Sequence, residues 1–131
     1  MEKKVNDEIV IKNFLEAFHQ NWDGSEKSKR GFIRASKEFI STIAKILGAE
    51  TKKIKHIDCQ TNRGEIGVFL KRGNNWVYIL ISDVPAFKRM GILFKRVDNP
   101  DDTRGWLNNY VQANEEGIEY MMREIKKILN D

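Results

Sequence analysis

One cysteine and two histidines among 131 residues leave this chain short of the groups from which most active sites are built. Cys59 has no partner for an internal disulfide, so the fold has to stand on its core, and a free thiol suits a reducing cytoplasm. The longest unbroken apolar run, residues 76–81, is far shorter than the roughly 20 residues a membrane helix needs. Residues 1–8 are too polar for a secretory leader. A cytoplasmic location with no membrane partner is therefore expected. A glycine-rich phosphate loop after a strand is missing too, as is any cluster of Cys, His or carboxylate at metal-ligand spacing. The acidic run over 98–102 lacks the alternating ligands and central glycine of a calcium loop. No cofactor and no catalytic residue is expected.

What remains is a pattern of alternation and helical periodicity. With 40% hydrophobic and 32% charged residues, the chain is apolar enough to fill one core and charged enough to keep it in water, as a single domain. The organising stretch is residues 54–97, which reads as a three- to four-stranded antiparallel meander. Its clearest part is a hairpin in which residues 66–72 and 75–81 flank Gly73-Asn74. A glycine at the first central position favours a two-residue turn, and the register follows from it. Leu70 faces Val77, Val68 faces Ile79 and Ile66 faces Ile81 on an aliphatic side. Phe69 faces Tyr78 and Lys71 faces Trp76 on the other.

A first strand over 54–61, turning at Asn62-Arg63, would pair Thr61 with Gly64 and add Ile57 and Cys59 to the aliphatic side. That parity places Ile54, His56 and Leu80 with the aromatics. A fourth strand is expected over 92–97, after a connection broken by Pro85 and Gly91. Residues 106–112 fit a short helix or an edge segment.

Three amphipathic helices frame the meander. The first, over 6–22, has Asn6 as its cap and Ile11, Phe14, Leu15 and Phe18 on one face. The second, over 28–47, carries Phe32, Phe39, Ile40, Ile43 and Leu47 inward and stops at Gly48. The third follows Asn114, with Ile118, Met121, Met122, Ile125, Ile128 and Leu129 as its stripe. The fold class is α+β: two N-terminal helices, the meander, and a C-terminal helix packed on the sheet.

Charge is unevenly spread. Residues 27–96 hold 16 Lys/Arg against 5 Asp/Glu, a balance of +11, while residues 1–26 carry −3 and residues 97–131 carry −4. A basic middle between acidic ends suits an anionic partner, or acidic ends that fold back upon it. Candidate binding residues are Lys29, Arg30, Arg34 and Lys37 on the second helix, and His56, Phe69, Lys71, Trp76 and Tyr78 on the aromatic side of the sheet. Lys53, Lys55, Arg63, Arg72, Lys95 and Arg96 would surround that platform with charge. Aromatics beside cations on a sheet can stack and hold single-stranded nucleic acid.

Residues 77–84, then 91–96, then 101–109 resemble a segment of small accessory proteins carried by phages, plasmids and conjugative elements. There, too, a strand ends in Ser-Asp (here Ser82-Asp83), a second strand follows, and a loop leads to paired Asn (here Asn108-Asn109). Where that loop runs Asp-Tyr-Thr-Gly-Gly, this chain has Asp102-Thr103-Arg104-Gly105-Trp106. The resemblance implies an accessory protein of a mobile element, a class that includes inhibitors of host defence systems such as CRISPR nucleases. It carries no functional residue across.

The sequence thus points to a non-enzymatic binding protein that occludes a host protein or ribonucleoprotein of a defence complex through its basic middle, in the manner of an anti-CRISPR. Direct nucleic-acid binding by the aromatic and basic sheet face is the alternative, and a homodimer is compatible with either. A third reading is a metal-dependent nuclease, from Pro100-Asp101 and Glu124-Ile125-Lys126. It requires Asp101 and Glu124 to converge on one ion.

Overall fold

The computed structural model describes residues 2–83, 91–101 and 107–131. The connection over 84–90 and the segment 102–106, which holds the five-residue loop sequence compared in the family resemblance, lie outside the described residues. The described elements are α1 (Glu2–His19), α2 (Glu26–Leu47), β1 (Glu50–Ile57), β2 (Glu65–Arg72), β3 (Asn75–Ser82), β4 (Ile92–Val97), β5 (Asn109–Val111) and α3 (Glu115–Leu129). They form an α+β fold in which three helices accompany a five-stranded antiparallel meander of order β1-β2-β3-β4-β5.

The β2–β3 hairpin has the expected register throughout, from Arg72 opposite Asn75 to Ile66 opposite Ile81. Gly73 turns it at φ +60°, a backbone state that costs a residue with a Cβ about 1–2 kcal/mol. Ile66, Val68, Leu70, Val77, Ile79 and Ile81 are wholly buried, and β4 adds Ile92 and Phe94 opposite Ile81 and Ile79. All three helices contribute to the same cluster: Phe14 and Phe18 from α1, Phe32, Phe39, Ile40, Ile43 and Leu47 from α2, and Ile118, Met121, Ile125 and Leu129 from α3. Phe14 stacks on Phe39 with ring centres 4.1 Å apart, which locks α1 to α2. The ambiguous 106–112 segment contains an edge strand: Asn109–Val111 pairs with β4.

Boundaries depart from expectation where a local signal misled. α1 reaches back to Glu2, so Asn6 is an exposed helical residue and no cap. Residues 2–5 have no breaker to stop the helix earlier. α1 ends at His19; beyond it Asp23 Oδ1 accepts from the Ser25 N–H and hydroxyl, and Ser25 Oγ in turn accepts from the Ser28 N–H to cap α2. Gly48 at φ +67° closes α2, and Asn114 caps α3 through the Gly117 N–H, both as the sequence indicates.

The first strand differs most. β1 spans Glu50–Ile57, and a bulge between Lys52 and Lys55 puts Lys53 at φ +53° and reverses the alternation beyond it. Ile57 therefore pairs with Glu65, three residues from the expected partner Val68, and is 46% exposed on the far side. An odd slip exchanges faces, so His56 takes the inward position opposite Ile66. Cys59 lies beyond the strand altogether. The expected Asn62-Arg63 turn is a longer connection, because Arg63 is drawn into the interior.

Candidate binding surfaces

Arg63, assigned to the charged surround of the sheet, is fully buried. Its Nε donates to Asp83 Oδ2 at 3.0 Å and its Nη2 to Asp83 Oδ1 at 3.1 Å, a two-pronged ion pair. The remaining guanidinium donors meet the carbonyls of Ala17 and Phe18 at the end of α1, and the planar group lies 4.7 Å above the Phe32 ring. This side chain joins α1, α2, β3 and the β1–β2 connection from inside, so no partner can reach it. His56 is likewise engaged, its Nε2 lying 3.0 Å from the Arg63 carbonyl oxygen. Asp83 was the missed residue. Extending the hairpin register from Glu65–Ser82 puts it beside Gly64, and an acid ending a buried strand requires a cation.

The β2–β3 part of the aromatic side is built as expected, while β1 supplies Ile57 there in place of His56, and this side is free of described helices, all of which pack on the opposite side. Phe69 sits against Tyr78 (ring centres 4.9 Å) and Trp76 (6.4 Å), and Lys71 Nζ lies 5.4 Å from the centre of the Trp76 ring. Tyr78 lies across Gly67, where a Cβ would come within 2.9 Å of its hydroxyl oxygen. Burial, with the Glu65 charge adding to it, raises the Tyr78 hydroxyl above its ordinary pKa. The platform is nevertheless largely closed. Phe69 and Lys95 are each 7% exposed and Val97 2%, so Phe69 offers no ring face for stacking and Lys95 no free ammonium stem. Trp76, Tyr78, Lys71 and Leu80 are half-buried, and Lys52, Lys55 and Ile57 are exposed along the β1 edge.

The remaining cations divide into paired and unpaired sets. Lys29 turns from the helix surface to Asp58 (2.6 Å) and the Cys59 carbonyl (3.2 Å), with Trp22 5.9 Å away. The hydrogen bond from Lys29 holds the Asp58 carboxyl below its usual range, and reciprocally Asp58 raises the Lys29 ammonium. Lys53 meets Asp101 at 2.9 Å, Arg96 meets Asp131 at 2.9 Å, Lys45 meets Asp7 at 3.1 Å, and Arg72 donates to Asn130 Oδ1 at 2.6 Å. The acidic ends do fold back on the basic middle. By contrast Arg30, Arg34 and Lys37 are exposed, and no ion pair engages them among the described residues. They recur at intervals of four and three on the side of α2 opposite Phe32, Phe39 and Ile43, which makes a cationic ridge on the helical layer. The ridge and the sheet platform therefore face away from each other.

Chemistry has little foothold. Cys59 Sγ lies 3.3 Å from Thr61 Oγ1, a contact that lowers the thiol pKa, and the His19 Nε2 is 2.7 Å from the Ala113 carbonyl oxygen. Asp101 and Glu124 sit in separate ion pairs, with Lys53 and Lys127. Among the described residues no group of three His, Cys, Asp or Glu side chains is placed to hold a metal ion. No described helix is long and apolar enough to cross a membrane. No protein-family model, curated protein or solved structure matches the chain.

Proposed function

We propose that this chain is a non-catalytic binding protein of a mobile genetic element, which inhibits a host defence complex in the anti-CRISPR manner by covering an acidic patch of it with the α2 ridge. One observation carries the reading. Among the described residues Lys45, Lys29, Lys53 and Arg96 are committed to Asp7, Asp58, Asp101 and Asp131 and Arg63 to the interior, whereas Arg30, Arg34 and Lys37 stand exposed in a row on α2. An aligned row of cations steers an anionic partner and fixes its orientation more than it supplies affinity.

The test is affinity capture from host lysate, with and without nuclease, using the native chain and an Arg30→Ala/Arg34→Ala/Lys37→Ala variant. Recovery of one defence complex in both arms by the native chain, and its loss with the variant, is the expected result. Partners that vanish after nuclease would transfer the reading to direct nucleic-acid binding, and recovery of nothing would oppose both. The nucleic-acid reading has its own support in the half-exposed Trp76 and Tyr78 beside Lys55 and Lys71. It requires oligonucleotide affinity that falls steeply with salt and drops with Trp76→Ala.

A further inference from the structure

A seam on α3 opens between α1 and the end of α2, away from both the ridge and the sheet platform. Glu115, Glu119, Met122 and Lys126 follow one another at intervals of four, three and four, the spacing of a helix-pairing stripe. Two shallow hollows adjoin there and share Glu119 and Met122. The first is floored by Ile11 and Ile118 and rimmed by Glu8, Glu115 and Glu119, with Lys12 as its one cation. The second is floored by Leu47 and Ile46, the latter 47% exposed, and rimmed by Lys45, Arg72, Arg123 and Lys126. Of these, Lys45 is paired with Asp7 and Arg72 with Asn130, which leaves Arg123 and Lys126 for a partner.

The seam is thus apolar along its floor, acidic at one end and basic at the other, with Met122 where the two meet. A two-fold axis near Met122 lays two such seams antiparallel. Glu115 and Glu119 of each copy then meet Lys126 and Arg123 of the other, and Ile46 and Met122 leave water. Acid before base along α3 also suits the helix dipole, but the dipole does not account for an exposed isoleucine from α2 beside the seam. A surface that complements itself under a two-fold rotation is what an isologous dimer requires. We infer that the α1–α2–α3 seam is an interface at which a second copy of this chain docks antiparallel.

Sedimentation over a concentration series tests this with the full chain and two charge variants, Glu115→Lys/Glu119→Lys and Arg123→Glu/Lys126→Glu. All four positions are exposed, and circular dichroism checks that each variant keeps its helices. The native chain is expected to pass from monomer to dimer, each variant alone to remain monomeric, and an equimolar mixture of the two to dimerise. A native chain that stays monomeric at several hundred micromolar overturns the inference. So do variants that dimerise alone as well as the native chain, or a mixture that does not associate.

Discussion

Arg63 shows what a single side chain can demand of its neighbours. Its charge is removed from water, and Asp83 together with two helix-end carbonyls replaces that hydration. Replacing it with Met takes the guanidinium counter-charge from the buried Asp83, which keeps the backbone N–H at position 63, so Arg63→Met should lower unfolding free energy by about 3–5 kcal/mol in urea titration. Removing the acid as well, in an Arg63→Met/Asp83→Leu chain, should recover much of that loss, because a buried carboxylate that has lost its counter-charge causes most of it. At the surface the sign of pH dependence follows from Lys29 and Asp58. Asp58 in the fold titrates below its ordinary 3.8, so the stability this pair adds is present above that value and is lost as pH falls through the lowered one. Lys29 titrates above its ordinary 10.5, so on the alkaline side the contribution persists until pH climbs through the raised value. Lys29→Met should return the Asp58 midpoint upward toward 3.8, read by NMR of the carboxyl carbon. Arg63 was illegible as a core residue because an Asn-Arg pair between two strands looks like a solvated turn. The hairpin register held the correction, since it already set Asp83 beside Gly64.

Among the elements, the β2–β3 hairpin, α2 and α3 could be read from the sequence because local chemistry and tertiary demand agree there. Gly73, Gly48 and Asn114 each perform the role that their types favour. β1 could not, because a bulge carries no composition signal in a strand of lysines and exchanges the two faces halfway along. The charged edge it creates has a use of its own: Lys52, Lys53 and Lys55 discourage another strand from adding to β1. β5 depends on a different device. Gly91 enters β4 at φ +89°, and a Cβ there would lie 2.4 Å from the Ala113 nitrogen and 2.6 Å from the Val111 oxygen. Gly91→Ala should therefore push β5 and the start of α3 outward. The expected readouts are a stability loss of about 2 kcal/mol or more, from backbone strain and displaced packing, and faster amide exchange at Val111.

For the whole molecule, the charge asymmetry was plain in the sequence but its disposition was not. Asp7 and Asp131 return to Lys45 and Arg96, whereas the row on α2 has no ion pair among the described residues. Which cation meets which acid depends on a tertiary arrangement that linear spacing does not encode. The ridge variant should accordingly leave the melting temperature nearly unchanged while reducing partner affinity at low salt. The gap between native and variant should close as ionic strength rises.

The clamp at Arg63 bears finally on how the chain reaches its native state. Its partners at Asp83, Phe18 and Ala17 lie 20, 45 and 46 positions away along the chain, so these bonds close only after distant segments have already met. Contacts of that kind are expected to form on the native side of the folding barrier, which the refolding rate of the variant checks. In stopped-flow chevrons the Arg63→Met chain should refold at close to the native rate and come apart much faster. The ion pair then acts as a latch, setting how long the assembled protein persists while scarcely affecting how quickly it assembles.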